Sequence, residues 1–597
     1  MRGADTDPFG MILVLPEMGG YSSYESKRQG HTVSAAQQLG QLCDEYFTLV
    51  HTLDPFTATE LGVPGFDGLV PDPSRDGAAR GAALIADIER RLAELDATGL
   101  DEAAQVNAAV LGHLAGAARA DLEHGLWEAN ASADGYVSPA AMVFQSVPTA
   151  VIGDDTAVAD YLERLRSLPG FLDKATARYR QAAADGRRST RVGLRQAIDS
   201  LTGHLAKDIT ADTLTTVGGA AGGLPDGARE RAAAIVAGEV RPAIRRLLSC
   251  LEDELLPAGR PDDQVGIRFV PGGADGYLAA VRRHTTTPRS PEQIHQAGLD
   301  ALTALREEWA ELGRRALGTS ELPEILTRLR EDRALRFSSS AQIVAVAASA
   351  LDRAESVRDR WFPRYDIPGC VIEEIDAVEA GNAPLAYYRG PAAGGARPGA
   401  FCVLTADPEE RFSYEYEALS FHESTPGHHL QIASAQTLPL PDYRRFLDAE
   451  VCGYVEGWGL YCERLADEMG LYTSDLQRLG MLSFDALRAC RLVVDTGMHY
   501  YGWSRDQAID FMWRNTATTR ANVVNEINRY IGWPGQALAY MTGRDEIRRL
   551  RGAAEAALGA RFDIRAFHGT VLGNGAVPLN VLEQIVTRWV DDELVVG

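Results

Sequence analysis

The feature that most constrains this chain is its period. From about residue 33 onward, apolar side chains recur three and four positions apart in segments dominated by Ala, Leu, Arg and Glu. That is the pattern of helices that bury one face. Residues 78–96 read this way from end to end, as do 157–186 and 227–256. The Arg and Glu residues of these segments read as solvated faces rather than binding patches. No fixed-period repeat is present, so a stacked-repeat solenoid is not expected. The expectation is a mainly α protein, a large multi-helix body.

Two glycine-rich breaks interrupt the pattern. Residues 216–227 read as a loop between helices, and residues 380–399 form the second break. The second break lies between Val371-Ile-Glu-Glu-Ile375 and Ala400-Phe-Cys-Val-Leu-Thr405, and both flanks have strand character. A small β-sheet is therefore expected there, just upstream of a histidine cluster. Its edge is either an active-site wall that holds an extended substrate by main-chain hydrogen bonds or a purely structural hairpin. Residues 1–30, rich in Gly, Ser and charge, are expected to be a mobile N-terminal segment. Residues 31–597 are expected to form one body, with a helical N-terminal part over about 31–260 and a catalytic part over about 261–597.

Composition narrows the partners. The chain has 597 residues, 45% of them hydrophobic, enough for a large core. Its 59 Lys and Arg against 83 Asp and Glu leave a formal charge of −24. Such a surface repels phosphate backbones and anionic lipids, so neither nucleic acid nor a membrane surface is expected as a partner. Seven scattered cysteines with no CxxC pair point to buried thiols of a reducing compartment rather than a disulfide framework. The apolar run Met11-Ile-Leu-Val-Leu-Pro16 is too short for a secretory leader, and no window approaches eighteen consecutive apolar residues. A cytoplasmic enzyme is expected, with its oligomeric state left open, a homodimer included.

The chemistry concentrates in His422-Glu423-Ser424-Thr425-Pro426-Gly427-His428-His429. A His-Glu pair with a second His shortly downstream is the zincin arrangement, in which two imidazoles reach one metal and the Glu faces the attacking water. The usual spacing would put the second His at 426, which is Pro here. In a straight helix His428 would lie about 120° round the axis from His422, and His429 would be nearly in line but about 10 Å further along. Neither could share a metal with His422. Pro426 cannot continue the helical hydrogen bonding and Gly427 admits unusual backbone angles, so a kink or two-residue bulge is expected. That bulge favours His428 over His429 as the second ligand, leaving the other imidazole for substrate or for support of the ligands. The third ligand is expected to be Glu456, 28 positions after His428 and flanked by Gly453, Gly457 and Gly459, which permit close helix approach. Glu450 competes for that role, and Glu463 is suited to a supporting position. No GxSxG elbow or Walker A loop offers another chemistry.

These segments resemble a bacterial family, domain of unknown function 885. The resemblance is carried by His422 to Gln431, by Glu456-Gly-Trp-Gly-Leu-Tyr461, by Val494-Asp-Thr-Gly-Met-His499 with Gly502-Trp503, and by Arg529-Tyr530 with Pro534 to Tyr540 and Gly543. Arg397-Pro398-Gly399 and Asp54 to Gly62 match more loosely, and Gly459 stands where the family usually has Ala. The resemblance implies a zincin-like helical body with a deep cleft, similar to the carboxypeptidase Taq and oligopeptidase superfamily. It points to His499 as a group that holds a substrate carboxylate or carbonyl. Tyr530 and Tyr540 are candidate oxyanion donors, and Arg529 and Arg397 candidate partners of a substrate carboxylate. The expected activity is Zn2+-dependent hydrolysis of small peptides or acylated amino acids, with Glu423 as general base. The alternatives are a metal-dependent tailoring enzyme performing deacylation, elimination or rearrangement, and a non-catalytic peptide-binding protein.

Overall fold

Burying 45% apolar residues on helices requires that the helices meet along their lengths, and the computed structural model shows how. It describes residues 34–217, 223–375, 384–395 and 397–596. The N-terminal segment, residues 218–222 of the first glycine-rich break and residues 380–383 and 396 of the second lie outside the described residues. The three segments read as helical form helices at Arg75–Ala93, Asp155–Ala184 and, with two π-helical turns, 226–258. Local signals set the ends. The helix Pro291–Leu317 starts with Ser290 as N-cap, Pro291 in the first turn and Gln293 closing a capping box, and it stops at Gly318 in the left-handed region. No helix among the described residues is long and apolar enough to cross a membrane.

One buried cluster is drawn wholly from residues 56–255, while the largest draws on residues 39–115 and 265–586. The first helices therefore pack into the larger core, and the N-terminal part has a second core of its own built mostly from residues 131–255.

At the centre runs Asp475–Thr496, buried at every position from Leu479 onward. Pro291–Leu317 packs along it, closely enough that a Cβ on Gly298 would come within 2.8 Å of the Ala489 carbonyl oxygen. A second close pair is Cys452–Glu468 against Ala539–Leu558. There a Cβ on Gly457 would lie 2.5 Å from the Gly543 backbone, and one on Gly543 only 1.8 Å from the Gly453 carbonyl oxygen. The glycines read from the sequence as a packing device act as one.

The sheet has three strands, β1 (Val371–Glu374), β2 (Ala386–Arg389) and β3 (Ala400–Val403), in the order β1-β3-β2. The two expected flanks do pair, but in parallel, with Val371 opposite Ala400. The second glycine-rich break differs from expectation in not being all loop: β2 lies inside it and pairs antiparallel with β3, Tyr388 opposite Phe401. A four-residue strand bounded by Gly and Pro is too short to register as alternation.

Gly457→Ala tests the helix contact. Helix propensity alone would favour Ala by about 1 kcal/mol, but overpacking against backbone costs about 1–3 kcal/mol. We expect a net loss, seen as a lower urea midpoint with an unchanged slope. A raised midpoint would mean that the two helices are free to separate.

Candidate metal centre

The interruption read from Pro426-Gly427 divides the motif between two helices, Tyr416–Glu423 and His428–Thr437. The chain leaves the first helix at Ser424 (φ −109°, ψ −128°), passes a cis Thr425–Pro426 peptide and re-enters a helix after Gly427. It doubles back so tightly that a Cβ on Gly427 would fall 1.9 Å from the His422 carbonyl oxygen, so only glycine fits. The break is pinned from the third helix, Cys452–Glu468. Trp458 Nε1 donates to the Pro426 carbonyl at 3.0 Å, and Cys462 Sγ lies 3.3 Å from the same oxygen.

This geometry brings His422, His428 and Glu456 together, with one donor atom from each all within 4.8 Å of one another. Glu456 Oε2 lies 3.6 Å from His422 Nε2 and 3.5 Å from His428 Nε2, and the two imidazoles are nearly perpendicular at 87°. Donors on a tetrahedral zinc with bonds of about 2.0–2.1 Å lie about 3.3 Å apart, so the spacing fits such an ion. A Cβ at Gly459 would stand 2.7 Å from His422 Cε1 and 3.0 Å from His428 Cε1. In this chain the glycine therefore makes room for both rings.

Behind the ligands, His422 Nδ1–H donates to Glu463 Oε1 at 2.8 Å, leaving Nε2 free to ligate. This carboxylate–histidine pairing fixes tautomer and ring orientation. Glu463 is fully buried, and Arg488 approaches the same oxygen at 3.4 Å. Among the described residues His428 Nδ1 has no hydrogen-bond partner, and Nε2 is the nitrogen that faces Glu456. Burial alone would depress the His422 pKa, yet the adjacent Glu456 and Glu463 carboxylates push it up to about 9. Burial would raise Glu456, but the same imidazoles pull it well below the usual carboxylate range. Both shifts mean that the cluster favours positive charge at its centre, which a divalent cation supplies. Glu423, next in sequence to a ligand and 8% exposed, makes no hydrogen bond to any described residue.

Tyr540 joins this cluster. Its ring lies 6.4 Å from that of His422 at an angle of 24°, and burial with the nearby Glu456 charge raises its phenol to about 12. Arg529 stays partly exposed, its Nη1 donating to Gln536. Other expected residues are not brought to the metal triad. His499 is buried, with Nδ1 accepting from the Ile267 N–H and Nε2–H donating to the Tyr530 carbonyl, both at 3.0 Å. Its ring has no nitrogen left for a substrate. The Tyr530 hydroxyl is taken up by Arg491 and Glu526 inside the core. His429 spans Tyr388 of β2 and the Pro368 carbonyl, each at 3.0 Å, so it ties the sheet to the motif instead of meeting substrate. Arg397 donates to the Glu60 carbonyl, and Glu450 pairs with Arg283 at 2.6 Å.

Sequence reasoning alone does not single out Arg488 and Arg491. Their signal is two arginines three residues apart inside the apolar stretch from Leu479 to Val494. The Arg491 guanidinium lies 4.4 Å from the Tyr540 ring centre, on a helix that never reaches solvent there.

The family described as bacterial protein of unknown function (DUF885) matches over residues 55–586. The chain belongs to this family. Among solved structures, a protein from Colwellia psychrerythraea described as a "putative lipoprotein" superposes with a TM-score of 0.84 at 28% identity, covering 94% of this chain and all of that one. A similarly described Shewanella oneidensis protein of unknown function gives a TM-score of 0.70 at 18% identity, over 93% of this chain and all of its own, and shares the fold. No curated protein matches the chain.

The ligand assignment makes a direct prediction. His422→Ala and His428→Ala should lose stoichiometric zinc on dialysis against a competing chelator, while His429→Ala keeps it. Glu463→Gln should weaken zinc affinity about 10–100-fold. Retention of zinc by the His428 variant together with its loss in the His429 variant would reverse the assignment.

Proposed function

We propose that this protein is a zinc-dependent hydrolase of amide bonds, acting on small peptides or acylated amino acids. The observation that carries the reading is the convergence of two imidazole nitrogens and one carboxylate from three helices, with Glu423 beside them and uncommitted. When bound, zinc makes water a competent nucleophile near pH 7 and polarises a carbonyl. Glu423 accepts the proton of the attacking water and delivers it to the leaving amine. The Tyr540 phenol, kept protonated by its raised pKa, donates to the oxygen on which negative charge develops. Glu463 holds His422 in the tautomer that ligation requires.

A peptide-binding protein without activity has no use for an unpaired carboxylate next to a ligand, and for that reason catalysis is the better reading. The expected deep cleft belongs to this proposal. Tyr136 supports it: the ring is 61% exposed and stacks on Trp533 at 5.5 Å, although Glu60, Tyr387 and Tyr540 all act on its hydroxyl. A side chain both open to solvent and surrounded on several sides lines a recess. The reducing compartment inferred from composition stays a proposal as well, supported by seven free cysteines.

Glu423→Gln tests the reaction. Against a panel of short peptides and N-acyl amino acids, the wild-type protein should turn over at least one class, and the variant should lose about 10²–10⁴-fold in kcat with its zinc intact. Undiminished turnover by the variant would remove Glu423 as the base. An inactive wild-type protein with a full metal complement would remove the hydrolase reading.

A further inference from the structure

The arginine cluster behind Tyr540 is not balanced. Arg491 and Arg529 share one carboxylate, that of Glu526. Arg491 Nη2 donates to Glu526 Oε2 at 2.8 Å, Arg529 Nη2 is 3.7 Å from the same oxygen, and the Tyr530 hydroxyl donates to it too. Arg491 Nε is bonded to the Tyr530 hydroxyl at 2.6 Å, but Arg491 Nη1 is buried with no hydrogen-bond partner among the described residues. The remaining bond of Arg529 goes to the neutral amide of Gln536. Within ion-pair distance two guanidinium charges therefore face one carboxylate charge, with the Asp134 and Asp495 carboxyls acting on Arg529 from further away, inside a protein whose overall charge is −24. A buried cation without its counter-charge is costly, so such a surplus asks for an anion. The position bears on the chemistry. The Arg491 guanidinium lies 4.4 Å from one side of the Tyr540 ring, and the His422 ring is 6.4 Å from Tyr540. Arg529, its side chain 26% exposed, gives the pair an open side.

We propose that Arg491 and Arg529 form the recognition site for a free carboxylate on the substrate, one tyrosine ring removed from the metal ligands. The proposal rests on the hydrolase reading and narrows it: the bond hydrolysed lies close to a carboxyl terminus, as in short peptides and N-acyl amino acids. The anion is a carboxylate because the proposed substrates, short peptides and N-acyl amino acids, carry one, and a guanidinium fork can hold it through two parallel hydrogen bonds.

The test uses the zinc-loaded Glu423→Gln protein, so that binding is read without turnover. Calorimetry compares N-acetyl-alanyl-alanine with its carboxy-terminal amide. We expect the free acid to bind at least about tenfold more tightly, the size of a lost charge-assisted contact. Adding Arg529→Gln, which alters a partly exposed side chain, or Arg491→Lys should bring the ratio of the two affinities close to one. Zinc content and far-UV circular dichroism confirm that each variant is folded. Equal binding of acid and amide, binding of neither, or displacement of the acid by inorganic phosphate more readily than by acetate would each overturn the proposal. Activity of the protein with Glu423 intact separates the two claims. Arginine-dependent acid binding without hydrolysis keeps the carboxylate site and removes the hydrolase reading, whereas equal hydrolysis of acid and amide does the reverse.

Discussion

A charge taken out of water must be paired, and the helix Asp475–Thr496 imposes that condition on everything around it. It is buried through its last eighteen residues and carries Asp485, Arg488, Arg491 and Asp495 there. Asp485 is met by Arg464 and by Arg544 at 2.6 Å, which brings the Cys452–Glu468 and Ala539–Leu558 helices to opposite sides of one carboxylate. Arg488 reaches Glu463, the residue that orients His422. Asp495 accepts from the Tyr277 hydroxyl at 2.7 Å and from the Gly535 N–H at 3.1 Å, fixing the turn that leads into Tyr540. Asp485 and Arg488 thus find their partners on the helices that carry Glu456 and Tyr540. The site's shape follows from the pairing.

The glycines complete the arrangement from the other direction. Gly457 and Gly543 let two helix backbones touch, which sets Glu456 and Tyr540 on neighbouring surfaces. Gly459 faces the imidazoles instead. It lies three positions beyond Glu456 on the same helix, and residues at that spacing share a face. The ligand and the glycine that clears space for the two rings therefore point the same way. Within one short stretch the missing side chains serve different purposes: at 453 one clears the His284 and Thr285 carbonyls, at 457 one admits the Ala539–Leu558 helix, and at 459 one admits two imidazoles.

What was legible in the sequence follows from the range of the interactions involved. The helices, the break at Pro426-Gly427 and the return of Glu456 to the histidines depend on local geometry, and their signals are local too. His499, Tyr530 and His429 look equally apt for chemistry as isolated residues. Their fates are decided by partners far along the chain: the N–H that occupies His499 belongs to Ile267, 232 residues away, and the carbonyl that occupies His429 belongs to Pro368, 61 residues away. Residue type shows what a ring can do, whereas only the assembled fold shows which of its nitrogens remain free. The same distance hid Arg491, since its value lies in sharing Glu526 with Arg529 beside a tyrosine from another helix. In β2, four residues were too few for a periodic signal.

The electrostatics of the site also run against those of the whole molecule. A formal charge of −24 repels anions in general, but surface charges are screened over about 10 Å at 0.1 M salt. Buried groups act over shorter distances through a medium of lower polarity, where each charge counts for more. Around Tyr540 this produces two regions of opposite character. On the His422 side, Glu456, Glu463 and Glu423 make a negative setting that favours a cation. On the Arg491 side, two guanidiniums and one carboxylate make a positive setting that favours an anion. Were the two regions in direct contact, their charges would neutralise each other and neither would bind anything. Tyr540 lies close to both, and the described ion pairs of Arg491 and Arg529 go to Glu526 rather than to the ligand carboxylate, so both settings persist in one small volume.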